Sequence, residues 1–134
     1  MGATPKGKVE IVRAAIDVFN RRDLETWAAL SHPDVEVDWS ASRGLEAGVY
    51  RGREETASFL RTFETFESVI VEPERFIDAG ESVVVPNTSR FQGRDGIETV
   101  ARSALVYDLR KGRVARICLY QDTAEALEAV GLRE

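Results

Sequence analysis

The spacing of apolar residues divides the chain into a helical first half and an extended second half. Val9, Val12, Ile16 and Phe19 recur every three or four residues, with Ala15 beside the stripe, and predict an amphipathic helix over about residues 7–21. Asp23 stands where a cap would start a second short helix carrying Leu24, Trp27, Ala28 and Leu30. His32-Pro33-Asp34 should end it, because proline disfavours helix in the residue before it. The period then changes. Val35, Val37 and Trp39 alternate with Glu36 and Asp38, as in a half-buried strand whose carboxylates face water, so Asp38 reads as a surface residue and not a catalytic one. After a loop through Gly44 and Gly48, Gly52-Arg53-Glu54-Glu55 opens a third helix, acidic in its first turn as the helix dipole favours. Its stripe of Phe59, Leu60, Phe63 and Phe66 is either plain core or the lid of a cavity.

The remainder reads as strands. They are expected at about 69–77, broken at Pro73, and at about 82–92, with Asp78-Ala79-Gly80-Glu81 as the turn between them. Gly93-Arg94-Asp95-Gly96 reads as a hairpin turn and not as a phosphate loop, since no helix follows it. Residues 96–132 predict two long strands joined by Arg110-Lys111-Gly112-Arg113, then a short helix that Asp122 and Glu125 begin with capping-box spacing. In the first of these strands Ile97, Thr99, Ala101, Ser103, Leu105, Tyr107 and Leu109 share one parity, yet Val100, Ala104 and Val106 make the other parity apolar too. Both faces therefore need cover, and the predicted helices supply one. The expected answer is a concave face over a pocket and a convex face, built from Val83, Val85, Val100, Ala104, Val106, Cys118 and Tyr120, buried in a homodimer. The order of elements predicts an α+β fold: a curved antiparallel sheet forming a cone, three helices on its concave face and a short C-terminal helix, with 1–134 as one domain.

Composition narrows the functional classes. At 134 residues the chain is large enough for one continuous core, and its formal charge of −5 offers no basic face for nucleic acid. Cys118 is the single cysteine, which excludes an internal disulfide, and with one histidine a zinc site would depend on scattered carboxylates, so neither metal nor cofactor is expected. The polar start, residues 1–6, lacks the apolar core of a signal peptide, and no apolar run approaches the ~20 residues of a membrane span. A cytoplasmic protein with no membrane partner is the expectation.

Few side chains offer chemistry. His32 would serve as a base only if its imidazole faced the pocket. If Arg94-Asp95 centres the hairpin turn, Arg90 pairs with Thr99, Thr88 with Ala101 and Pro86 with Ser103, all on the parity of Leu105 and Tyr107. Arg90 is then an anchor for an anionic ligand; a one-residue bulge would instead turn it to solvent. Arg102 and Arg116 fall on the opposite parity, and Tyr120 points to the convex face while Tyr107 points to the pocket.

Several segments together resemble the nuclear transport factor 2-like superfamily, and within it the SnoaL-like branch. They are Val12 to Leu30 with Asn20-Arg21-Arg22-Asp23-Leu24, then His32-Pro33-Asp34-Val35-Glu36, Tyr50-Arg51-Gly52-Arg53-Glu54, and Leu109 through Tyr120-Gln121-Asp122 to Glu125-Ala126-Leu127, spanning about residues 8–132. The resemblance implies a cone with an apolar pocket and frequent homodimers. It also implies functions from steroid isomerases, polyketide cyclases, epoxide hydrolases and dehydratases to proteins with no catalysis. Carried over residue by residue, the isomerases' strand-end base falls on Trp39, their helix tyrosine near Ala15 and their second acid near Ser103 or Leu105. The inward acid of the hydrolases and cyclases falls among Ile117, Leu119 and Gln121, so none of the expected acids is present. The expected site is a pocket for a small apolar, ring-containing molecule formed by Trp39, Tyr50, Phe59, Phe63, Thr88, Arg90, Ser103, Tyr107, Leu119 and Gln121. Any reaction there would be a metal-free isomerisation, cyclisation, dehydration or hydrolysis. The alternative is an interaction scaffold whose cavity is filled by its own aromatics.

Overall fold

The computed structural model describes residues 7–44 and 46–132; the stretch 1–6, read above for a signal core, lies outside them. The elements in chain order are α1 (Lys8–Asn20), α2 (Leu24–Leu30), β1 (Ser31–Asp38), β2 (Val49–Arg51), α3 (Gly52–Arg61), a 3-10 turn (Thr62–Thr65), β3 (Ser68–Pro73), β4 (Ile77–Ala79), β5 (Ser82–Gln92), β6 (Glu98–Arg110), β7 (Arg113–Tyr120) and α4 (Thr123–Ala129). The helices begin where local chemistry permits. Asp23 accepts the Thr26 N–H at 3.1 Å and Asp122 the Glu125 N–H at 2.8 Å, each satisfying a donor that the first turn leaves open. Between β6 and β7, Lys111 and Gly112 take φ of 53° and 75°, the left-handed pair that suits a tight hairpin turn.

The strands form one curved sheet in the order β2-β1-β7-β6-β5-β3, with β4 also on β5. It is mixed rather than wholly antiparallel, because β1 runs parallel to β7 while every other pair is antiparallel. Alternation within a segment carries no sign of strand direction, so this pairing is invisible locally. Helices α1, α2 and α3 lie on the concave face, where Val12, Ala15, Ile16, Trp27 and Phe59 pack with Val37, Val83, Leu105, Tyr107 and Ile117. At the edge, the Asn20 carboxamide makes two hydrogen bonds with Val71 of β3, donating to its carbonyl and accepting its N–H, both at 2.9 Å.

The convex face differs from the expectation in two ways. Pairing of Gln92 with Glu98 leaves residues 93–97 in the turn, an odd number, so the register of β5 against β6 is one residue away from that of a turn centred on Arg94-Asp95. Val83 and Val85 consequently face the concave core, and Val84 takes the convex side. There α4 supplies the second cover: Ala126 and Leu127 pack on Val84, Ala104 and Val106, with Ile77, Ala79, Tyr120 and Val130 around them. What stays open is the hairpin end, where Val100 is 49% and Ile97 65% exposed.

Candidate functional site

Between the three helices and the sheet lies an apolar cavity of about 340 Å³. It exists because the sheet residues beneath its outer half are small. Ser89, Ala101 and Ser103 share the cavity wall with Phe19 of α1, Phe59 of α3 and Phe63 of the 3-10 turn, and side chains of that size do not fill the gap. The register orders the floor from the closed end outward. Val37, Ile117, Tyr107 and Val83 form the first row, then Leu119, Leu105 and Val85, then Ser103 beside Asn87, then Ala101, Ser89 and Val71. The roof is Ala15, Ile16 and Phe19 of α1, Trp27 of α2, and Phe59, Leu60 and Phe63. Phe59 is the hub of the aromatic wall, with its ring centroid 4.5 Å from Tyr50, 5.3 Å from Trp39 and 5.4 Å from Phe63.

Of the residues expected at the site, Trp39, Phe59, Phe63, Ser103, Tyr107, Leu119 and Gln121 reach the cavity wall together. Tyr50 stands one layer back, stacked on Phe59. Thr88 and Arg90 do not reach it. The odd-numbered turn puts Thr88 opposite Arg102 and Arg90 opposite Val100, on the other face of the sheet, while Asn87, Ser89 and Phe91 take the concave parity. Arg90 is exposed there and donates to Glu72 at 2.8 Å, with Glu98 at 3.6 Å, and the Glu72 hydrogen bond raises its pKa. It is a surface ion pair and not a ligand anchor. His32 also points elsewhere: its Nδ1 accepts the Asp34 N–H at 3.0 Å and lies 3.1 Å from the Arg110 guanidinium. Asp38 lies on the convex side, where hydrogen bonding from Ser40 above all holds its carboxyl below the ordinary range and Arg116 binds it at 3.0 Å.

Tyr107 is the distinctive polar group. It is 5% exposed, its hydroxyl has no hydrogen-bond partner among the described residues, and burial pushes the phenol above the usual tyrosine pKa. It remains a neutral donor at neutral pH. A second polar group lies along the floor, where Asn87, fully buried, accepts from Ser89 at 3.1 Å and from Ser103 at 3.4 Å.

The mouth is framed by residues that periodicity could not find. The loop from Trp39 to Gly48 brings Ser42, Arg43 and Glu46 to the wall. Gln121 donates to Ala41 at 2.6 Å, Trp39 N–H to Gly48 at 2.7 Å and the Tyr50 hydroxyl to Glu46 carbonyl at 2.6 Å, which together hold the loop in place. Glu46 is the one carboxylate on the wall among the described residues, and it accepts from Ser42 at 2.7 Å. No cluster of metal-ligating residues occurs among the described residues, nor is any described helix long and apolar enough to cross a membrane.

A cone of this kind, open at one end and roofed by helices, can be compared with known families. Residues 12–117 match the model of the SnoaL-like domain. The chain belongs to the SnoaL-like family. No curated protein matches it. Among solved structures it is similar to an NTF2-like protein of unknown function from Burkholderia pseudomallei K96243, with 28% identity over 92% of this chain and 96% of that one and a TM-score of 0.75. It is also similar to TerC co-crystallised with polyporic acid, with 24% identity, 91% and 96% coverage and a TM-score of 0.74. Rv0760c from Mycobacterium tuberculosis, in complex with estradiol-17β-hemisuccinate, has 16% identity, 84% and 91% coverage and a TM-score of 0.75. These likenesses give the NTF2-like fold. Within this SnoaL-like cone, every position where the resemblance would place an acid or tyrosine lines the cavity: Ala15, Trp39, Ser103, Leu105, Ile117, Leu119 and Gln121.

Proposed function

We propose that this SnoaL-like chain holds a small, largely apolar, ring-containing molecule in its cavity, with the Tyr107 hydroxyl as the polar contact. The observation that carries the reading is Tyr107 itself. Tyr107 lines the cavity and its hydroxyl makes no hydrogen bond among the described residues, so its O–H is free to donate to an acceptor oxygen on a ligand. The volume falls within the range of small-molecule sites, and the wall is aromatic with few polar groups, as such sites are. Polyporic acid and estradiol-17β-hemisuccinate, bound by proteins of the same fold, support a small-molecule occupant. The scaffold alternative is disfavoured because Trp39, Phe59, Phe63 and Tyr107 line the space and leave it open. No inherited position carries an acid, so any turnover would draw on Glu46, the one carboxylate on the wall among the described residues.

Titration with flavone, a neutral ring ketone, should quench emission from Trp39 and Trp27 saturably. Tyr107→Phe should weaken flavone by about 5–10-fold, the net worth of one neutral hydrogen bond. Unsaturable quenching in the parent protein would remove the reading. The proposal extends to assembly and place: a cytoplasmic homodimer, paired through the open half of the convex face around Val100. Light scattering that returned the monomer mass at tens of micromolar would reject the dimer.

A further inference from the structure

The polar group beneath the two serines of the cavity floor has a direction. Asn87 is fully buried, and its side-chain nitrogen donates to the Val85 carbonyl at 3.1 Å. A carbonyl can only accept, so the amide orientation is fixed and Asn87 Oδ1 must be the atom facing the serines. That oxygen can only accept as well. The Ser89 hydroxyl hydrogen is therefore committed to it at 3.1 Å, and Ser103 directs its hydrogen to the same atom over a longer 3.4 Å. Each serine oxygen is left with lone pairs, and both residues line the cavity.

We propose that Ser89, supported by Ser103 and oriented by Asn87, selects ligands carrying a hydrogen-bond donor, a hydroxyl or an N–H, at the end of the molecule remote from the acceptor that Tyr107 binds. This rests on the cavity reading above. The two polar groups stand apart on the floor: Ser103 and Tyr107 are four residues apart on β6, so their backbones are separated by roughly 14 Å. Leu105 and Leu119 lie in the row between them. The ligand is thus an elongated apolar body with an acceptor at the inner end and a donor at the outer end. A second acceptor at the outer end meets the serine lone pairs and is rejected, which is a sign rule that shape alone does not impose.

The test uses flavone, 4'-hydroxyflavone and 4'-fluoroflavone, titrated by tryptophan quenching at a pH below ionisation of the phenol. Fluorine is close in size to a hydroxyl and donates nothing. The intact protein should favour 4'-hydroxyflavone over 4'-fluoroflavone by about 10-fold, the scale of one well-placed hydrogen bond in an apolar site. Ser89→Ala should reduce the preference to near unity, and Ser103→Ala should reduce it less, as the longer contact implies. Thermal unfolding followed by circular dichroism reports that both variants fold. Equal affinity for the hydroxy and fluoro compounds in the intact protein would overturn the inference while leaving the cavity reading in place. So would a preference that persists in the Ser89→Ala/Ser103→Ala double variant. Failure of all three compounds to bind would overturn both.

Discussion

The two faces of this sheet are made from alternate residues of the same strands, yet α4 seals the inner half of one while the other holds open space. On the convex side Val84, Ala104 and Val106 meet Ala126 and Leu127 of α4. On the concave side Leu105, Tyr107 and Leu119 look into about 340 Å³ of open space. A closed face contributes stability through dispersion contacts and exclusion of water, whereas the open one forgoes part of both to keep a binding volume. Substitutions on the two faces should therefore be felt in different measurements.

The largest effect should follow Val106→Asp. Val106 is 3% exposed beneath α4, so the carboxylate has neither water nor partner, and urea unfolding should show a loss of about 3 kcal/mol or more. A variant that stayed as stable as its parent and changed only in oligomeric state would make this face an interface between copies instead. On the concave side Leu119→Trp adds atoms to open space. Its stability should change by under about 1.5 kcal/mol, as for a tolerated swap, while flavone affinity falls by about 10-fold or more. A loss of stability as great as that of Val106→Asp would show that the cavity wall is as tightly packed as the convex cluster. The smallest effect belongs to the convex surface beyond α4. Asp38, its pKa lowered chiefly by Ser40, contributes stability that is present above the ordinary carboxylate pKa and lost as pH falls through the lower folded value. Asp38→Asn should remove about 0.5–1 kcal/mol at neutral pH and flatten the decline below about pH 4. An unchanged acid transition would assign that decline to other groups.

What could be read from the chain was local. The caps at Asp23 and Asp122 depend on residues three apart, and the parity of β6 is visible because polar and small residues occur at its outer inward positions. The register of β5 was not visible. Val83, Val84 and Val85 are apolar on both parities, so only the turn could set the register, and a turn of odd length instead of even moved Thr88 and Arg90 to the surface and Ser89 and Phe91 to the cavity. The mouth was equally hidden. Ser42, Arg43 and Glu46 lie in an irregular loop with no period, and β2 spans only Val49–Arg51. The second cover is hard to see in the chain because α4 is short; its Ala126 and Leu127 pack where Ala104 is small enough to let the helix approach.

The Asn20 carboxamide has the donor and acceptor of a peptide group, and it presents both to Val71 as a neighbouring strand would. β3 is one outer margin of the sheet, where unpaired N–H and carbonyl groups invite chain-to-chain polymerisation. One helix residue thus impersonates the next strand for the length of a single rung. An incoming extended segment must first evict it, and Asn20→Ala would leave an adhesive margin on a protein that otherwise has reason to stay dispersed.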